Sequence, residues 1–157
     1  MPLAHYSTGL SMKTITLIIG LLLSTFVGIS LAQTGAEMPR TPAAEGATAY
    51  IQFPTDGATV SSPFIVRFGL SGIGVAPAGV QTANTGHHHL LVDVTEMPPF
   101  GLPLPATDNV IHFGLGQTET QIDLPPGQHR LQLVLGDWIH TPHNPPVMSE
   151  VVTITVE

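Results

Sequence analysis

Cysteine is absent from the sequence. Disulfide bonds, thiolate metal sites and a lipid-modified N-terminal cysteine are therefore excluded. A fold without such supports depends on its apolar core. A domain that spans residues 49–157 is long enough to form one.

Basic side chains are scarce as well. Beyond residue 32 the chain has no lysine and three arginines, Arg40, Arg67 and Arg130, against eleven aspartates and glutamates. Nucleic acids and anionic membrane surfaces are bound by basic patches, so we expect neither as a partner of the folded domain. An acidic composition of this kind favours an exported protein that meets cations.

A helical period is absent from residue 33 onward. Short runs of alternating apolar and polar residues are separated instead by turns rich in proline and glycine. This pattern predicts an all-β fold, an antiparallel immunoglobulin-like β-sandwich of about seven strands. A small barrel is the main alternative. The expected strands cover residues 49–53, 63–70, 87–94, 110–113, 116–124, 128–137 and 149–157.

The one long apolar run lies near the N-terminus, at residues 15–29. It follows Met12-Lys13 and ends at Ser30-Leu31-Ala32, which supplies the small residues that a signal peptidase requires. Because the run is too short for a membrane span, we predict a secretory signal peptide at residues 1–32, with Met12 as an alternative start. An uncleaved N-terminal anchor is the alternative.

After cleavage the protein is expected to be periplasmic or extracellular, without membrane contact. Residues 33–48 are rich in alanine, proline, glycine and threonine, and they predict a flexible linker. The β-sandwich domain is then expected at residues 49–157.

Histidine is the chemically active residue that the sequence has in excess, with eight in all. Three of them are consecutive and open an apolar run that reads as a strand. Alternation along a strand places His87 and His89 on one face, and His88 with Leu90 on the face toward the core. Two residues apart on a strand, about 6.5–7 Å by its rise, His87 and His89 can hold one metal ion.

Three further histidines can complete such a site. His112 lies at a short strand, and His140 and His143 lie in the last loop, which can meet the histidine strand because loops cluster at the ends of a sandwich. Imidazole ligands suit Zn and Cu. We therefore predict a Cu or Zn site with the ligands His87, His89, His112, His140 and His143.

Other side chains could support this site. Asp93 and Asp137 are candidates to orient a ligand ring through a hydrogen bond. By their strand parity, His88 and His129 are expected to be buried residues with a structural or supporting role. Met97 or Met148 would add a soft ligand if the metal were Cu(I).

The competing interpretation is that the histidines are structural. Imidazole N–H groups can bond backbone carbonyls in proline-rich loops that make no ladder bonds. The protein would then be a non-catalytic interaction module, with another envelope protein or a glycan as its partner. A role as metal buffer, metal donor or metal sensor follows from the first interpretation.

An enzyme is the third and least supported interpretation. No serine lies in a nucleophile elbow, and Glu119 and Asp123 would be about 13 Å apart along their strand. A cupin-like metal barrel is disfavoured because its motif spacing is not met and Gln81 stands where that motif has glycine. We identify no general base.

The histidine motifs also resemble a known family, the bacterial domain of unknown function 4399. The resemblance covers about residues 50–156 and implies an exported bacterial domain of unassigned activity. All seven histidines from His87 onward match, whereas Trp138-Ile139 departs from the smaller or more polar residues that are usual there. The motifs are Gly86-His87-His88-His89-Leu90-Leu91-Val92-Asp93, His112-Phe113-Gly114, Gly116-Gln117-Thr118-Glu119, Leu124-Pro125-Pro126-Gly127-Gln128-His129, Gly136-Asp137-Trp138-Ile139-His140, His143-Asn144-Pro145-Pro146-Val147 and Ser149.

Overall fold

The structure is a computed structural model that describes residues 39–157. The predicted signal peptide, residues 1–32, and the first part of the predicted linker, residues 33–38, lie outside the described residues. Within residues 39–157 every regular element is a strand. This part of the chain contains no helix that is long and apolar enough to cross a membrane. The prediction of an all-β fold is confirmed.

Nine strands follow one another along the described chain. They form a sheet of three strands and a sheet of six. The strands are β1 (Thr48–Phe53), β2 (Thr59–Val60), β3 (Phe64–Ser71), β4 (Gly74–Val75), β5 (Thr85–Val92), β6 (Val110–His112), β7 (Glu119–Ile122), β8 (Gly127–Gly136) and β9 (Val152–Val156).

The smaller sheet has β3 at its centre, antiparallel to β1 and β7. Alternation explains its orientation, because Phe64, Val66 and Phe68 are buried while Arg67 between them is exposed. Arg67 Nε lies 3.2 Å from Glu119 Oε2 on β7. An exposed pair of this kind contributes little to stability, so the buried face holds this sheet in place.

The larger sheet has the strand order β2-β9-β8-β5-β4, and β6 also pairs with β5. Here the structure differs from the predicted antiparallel sandwich, because β2–β9 and β4–β5 are parallel pairs. β2 and β4 have two residues each, which is too short to leave an alternation in the sequence. The immunoglobulin-like arrangement of about seven strands is not confirmed.

One apolar core receives side chains from both sheets. Phe64, Val66 and Phe68 of β3 belong to the same cluster of buried residues as Leu90 of β5 and Leu133 of β8. Burying a side chain of this size stabilises the fold by about 1.5–3 kcal/mol. The core therefore fixes β5 and β8, the two strands that position the site.

The outer face of the larger sheet is covered as well. Leu91 of β5 and Val134 of β8 pack there with Leu104, which comes from the proline-rich loop between β5 and β6. Every residue from Gly86 to Val92 is consequently buried. The sequence predicts a polar face for His87 and His89, but loops that are distant in sequence exclude solvent from that face.

The N-terminal part of the described chain also differs from expectation. Within the predicted linker, the Ala43 amide donates to the Asn144 carbonyl at 3.0 Å, and the Asn144 amide donates to the Thr41 carbonyl at 2.9 Å. β1 begins at Thr48, the last residue of the predicted linker. Residues 41–43 are therefore fastened to the loop after β8.

Candidate metal centre

Strand β5 carries the three consecutive histidines, and all three are completely buried. His87 and His89 lie on the outer face with their ring centroids 4.9 Å apart. His88 lies on the opposite face, against Phe68 of the core, with 5.2 Å between the ring centroids. The strand parity predicted from the sequence is confirmed.

A third imidazole comes from β6. This strand is antiparallel to β5, and its register places His112 directly opposite His89. The His112 ring centroid lies 5.1 Å from that of His89 and 5.0 Å from that of His87. One ring nitrogen from each of the three residues lies within 4.8 Å of the other two, and the three could therefore hold a metal ion.

The fourth imidazole comes from the loop after β8. The His140 ring centroid lies 4.7 Å from that of His112, 5.0 Å from that of His87 and 6.1 Å from that of His89. The backbone of His140 has a φ of 73°, in the left-handed region. Four of the five predicted ligands thus converge.

Two glycines leave the space that these rings occupy. Gly136 lies opposite His87 in the β5–β8 register, and a Cβ at this position would lie 2.7 Å from His89 Cε1 and 3.2 Å from the His140 backbone. A Cβ at Gly114 would collide with the His112 ring. Both glycines stand in the histidine motifs of the sequence, but their spacing alone does not reveal this role.

Five ring nitrogens at this site have no hydrogen-bond partner among the described residues. Both nitrogens of His87 and of His89, and Nε2 of His112, are buried without a hydrogen bond to any of the described residues. Leaving one buried polar group unsatisfied costs about 1–3 kcal/mol. A ligand that accepts these lone pairs would remove this cost.

Burial also sets the protonation of these rings. It lowers the pKa of His87 to about 4 and that of His89 to about 3, with a further lowering by the neighbouring imidazoles. The pKa of His112 is lowered by burial and by His140. The rings are therefore neutral at pH 7, which is the form that binds metal.

Asp137 supports the loop that carries His140. Its carboxylate is 1% exposed. Oδ1 accepts hydrogen bonds from the amides of Ile139 and Thr141 at 3.0 and 2.9 Å, and Oδ2 accepts one from the Thr41 hydroxyl at 2.6 Å. Among the described residues Asp137 thus orients the backbone on both sides of His140, where the sequence predicts that it orients a ring.

The fifth predicted ligand, His143, is placed elsewhere. Its Nε2 lies 3.2 Å from the Thr85 carbonyl and its Nδ1 lies 3.5 Å from the Leu135 carbonyl. The ring is completely buried between these strands. Its geometry is that of a residue that pins a loop to the sheet, the alternative that the sequence left open.

Two of the residues with a predicted supporting role, His129 and Asp93, lie away from the four converging rings. His129 Nδ1 lies 2.7 Å from Asp93 Oδ2, and Nε2 lies 2.9 Å from the Pro125 carbonyl. This pair sits at the opposite end of the β5–β8 pair from the converging rings. The hydrogen bond with Asp93 is the main cause that raises the pKa of His129.

His88 differs from the expectation of a satisfied buried residue, because both of its ring nitrogens lack a partner among the described residues. Burial alone lowers its pKa to about 4. Met97 and Met148 pack against the outer apolar cluster around Leu91 and Val134. The structure gives neither methionine a place among the four rings.

Arg40 and Thr41, which were not predicted to contribute to the site, contact the loop that carries His140. Their only signal was that they are polar residues in a tract otherwise rich in alanine and proline.

No curated protein and no solved structure matches the chain. A family model matches residues 66–157, more than half of the sequence and all four converging histidines. The chain belongs to the family that this model describes as Domain of unknown function (DUF4399).

Proposed function

We propose that the protein binds a divalent transition metal, Cu or Zn, through His87, His89, His112 and His140. The observation that carries the proposal is the convergence of these four rings, three of which have buried nitrogens without a hydrogen-bond partner among the described residues. Three atoms within 4.8 Å of one another share a point about 2.8 Å or less from each. Metal–nitrogen bonds are about 2.0–2.1 Å long, so small ring movements suffice.

The donor set favours these metals. Imidazole nitrogens are ligands for Zn, Cu and Ni, whereas Ca and Mg take oxygen ligands. Imidazole ligands leave the charge of a bound dication uncompensated, and the buried carboxylate of Asp137 is close enough to raise the pKa of His87. Its charge supports a cation at the centre of the cluster.

The proposed role is metal buffering, delivery or sensing outside the cytoplasm, in the periplasm or the extracellular space. The signal-peptide pattern in residues 1–32 and the acidic composition support this location. The proposed partners are the metal ion and an envelope protein that donates or accepts it.

The alternative is an interaction module in which the histidines are architectural. His129 and His143 fit this alternative, because their ring nitrogens face carboxylate or carbonyl oxygens. His87 and His89 do not, because neither has such a partner among the described residues. The metal interpretation accounts for the difference between the two groups.

The test is a calorimetric titration with Zn(II) and Cu(II) at pH 7.4. The protein is expressed from the full-length gene and purified without a polyhistidine tag. We expect one ion per chain with a Kd below about 1 μM, equivalent to more than about 8 kcal/mol of binding free energy. His112→Ala should weaken binding by at least about 10-fold, and His129→Gln should leave it unchanged because that ring lies at the other end of the strand pair.

Binding no tighter than millimolar for both ions would exclude the metal function and favour the interaction module. Equal affinity of the wild type and His112→Ala would place the bound ion at another site.

A further inference from the structure

The N-terminal segment 40–43, which we call the strap, is bonded to the loop that carries His140. Arg40 Nε donates to the Pro142 carbonyl at 3.0 Å, and Arg40 Nη2 donates to the His143 carbonyl. The guanidinium also lies 5.5 Å from the centroid of the Phe100 ring. The strap thus holds the loop through the backbone carbonyls of Pro142 and His143.

Thr41 extends this contact toward the metal centre. Its hydroxyl donates to Asp137 Oδ2 at 2.6 Å, while Asp137 Oδ1 accepts from the amides of Ile139 and Thr141. These two amides flank His140 in the chain. A continuous set of hydrogen bonds therefore links the strap to the backbone on both sides of the fourth imidazole.

His140 depends on this fastening more than the other three rings do. His87, His89 and His112 stand on strands whose ladder bonds fix their backbones. His140 stands on a loop with a φ of 73°, a left-handed conformation that is unfavourable for a residue with a Cβ. Such a backbone persists where its surroundings over-determine it.

The ring distances agree with this division. The centroids of the three strand rings lie 4.9, 5.0 and 5.1 Å apart, whereas the His140 ring centroid lies 4.7 and 5.0 Å from two of them and 6.1 Å from that of His89. The strand rings form a fixed set of three. The fourth ring completes the set from one side.

We propose that Arg40 and Thr41 are positioning residues for His140, so that the strap determines whether a bound ion has four imidazole ligands or three imidazoles and water. This inference rests on the proposed metal function. A closed set of four protein ligands is typical of structural or storage sites, whereas three ligands leave an open position. The strap thereby sets the coordination of the ion.

The experiment uses Co(II) and Zn(II) as probes of the untagged protein from the full-length gene. Thr41→Val removes the hydroxyl and keeps the side-chain shape. We expect Zn(II) affinity to fall about 10-fold, as for other residues that support metal ligands. The visible Co(II) bands should lose intensity because two or three waters replace the His140 imidazole, and the four-coordinate ion becomes five- or six-coordinate. Thr41→Ser should restore both.

A double-mutant cycle separates positioning from general destabilisation. In a His140→Ala background, Thr41→Val should change neither the affinity nor the Co(II) spectrum, because the residue through which it acts is gone. Arg40→Gln is the second variant, and it should behave in the same way. Arg67→Ala is the matched control, since Arg67 is an exposed arginine on the smaller sheet.

The outcomes distinguish the two proposals. If the wild type binds neither ion, the proposed function fails, and the strap inference fails with it. If the wild type binds through His87 and His89 but Thr41→Val and Arg40→Gln bind normally, the strap inference alone is overturned. An equal penalty for Thr41→Val with and without His140 would also overturn it.

Discussion

The two ends of the β5–β8 pair carry histidines in opposite states. At one end, His129 has both ring nitrogens within hydrogen-bond distance of oxygens, on Asp93 and Pro125. At the other end, His87 and His89 have four buried nitrogens and no partner among the described residues. The same side chain on the same sheet is satisfied in one place and left unsatisfied in the other.

This difference distinguishes a histidine with a structural role, His129, from the histidines that we propose as metal ligands. An imidazole that faces a carboxylate and a carbonyl holds segments together, and its environment favours the charged form. Imidazoles that face one another destabilise the charged form of each ring, and at His87 and His89 no hydrogen bond from the described residues compensates for this. An unsatisfied cluster of this kind lowers the stability of the fold, and binding of the proposed metal would offset that cost.

Removing the cluster should give the largest effect. In His87→Ala/His89→Ala, thermal stabilisation by Zn(II) should disappear. For the wild type, an ion concentration of 100 times Kd adds about 2.7 kcal/mol to the free energy of unfolding. Differential scanning fluorimetry with and without the ion measures this directly. A variant that is still stabilised by Zn(II) to the same extent would contradict the assignment.

The second largest effect is expected from a side chain that intrudes into the space occupied by the rings. Gly136→Ala places a Cβ 2.7 Å from His89 Cε1, and overpacking of this kind costs about 1–3 kcal/mol. Part of this cost should appear as weaker Zn(II) binding, because the His89 ring has to move. Gly74→Ala is the matched control, since its Cβ meets Thr85 at an ordinary 3.4 Å. Equal Zn(II) affinity for the two alanine variants would contradict the role of Gly136.

The sequence alone predicts some of the site residues correctly but does not distinguish others. The pairing of His87 with His89 follows from the strand period alone, and the structure bears it out. His140 and His143 lie three residues apart in one loop, and the sequence treats them alike. A left-handed backbone at His140 and the bonds to Asp137 send one ring to the cluster, while the other ring faces Thr85 and Leu135. Such tertiary contacts leave no local pattern.

The same limit applies to the fold. Long alternating runs such as β8 were predictable from their period, and the two-residue parallel strands β2 and β4 were not. The burial of the outer face of β5 depends on Leu104, which arrives through a proline-rich loop. The carboxylates show the limit most clearly. Asp93 does bond a histidine ring, but at the far end from the cluster.

At the end of the β5–β8 pair that carries His129, the stability of the fold should depend on pH, while Zn(II) affinity should not depend on His129. The pKa of His129 is raised above 6.5 in the folded protein, mainly by its hydrogen bond with Asp93. Its contribution to stability is therefore complete below pH 6.5 and is lost as the pH rises through the folded pKa. Below pH 6.5, His129→Gln should therefore lower the free energy of unfolding by about 1–2 kcal/mol. This loss of stability should become smaller as the pH rises through the folded pKa of His129.

Urea unfolding of the metal-free protein between pH 5.5 and 8.5 measures this deficit. A deficit that stays constant over this range would show that His129 does not act through its charge. A change in Zn(II) affinity in His129→Gln would show that the two ends of the strand pair are coupled.

The smallest effect is expected at His88, which lies between His87 and His89 in sequence but on the core face. Its ring nitrogens also lack partners among the described residues, yet it faces Phe68 instead of another imidazole. Replacing an unsatisfied buried group by an apolar one of similar size is neutral or stabilising. His88→Leu should therefore raise the free energy of unfolding by about 0–1 kcal/mol at pH 7.4.

The sign of its pH dependence is opposite to that of His129. Burial lowers the folded pKa of His88 from 6.5 to about 4, so below pH 6.5 the unfolded wild type takes up a proton that the folded protein does not bind. The advantage of His88→Leu in the metal-free protein should grow by less than about 1 kcal/mol between pH 7.4 and 6.0. Zn(II) affinity should stay unchanged, since the ring points away from the cluster. A loss of affinity in His88→Leu would mean that burial without partners, rather than convergence of rings, marks the residues that serve the metal.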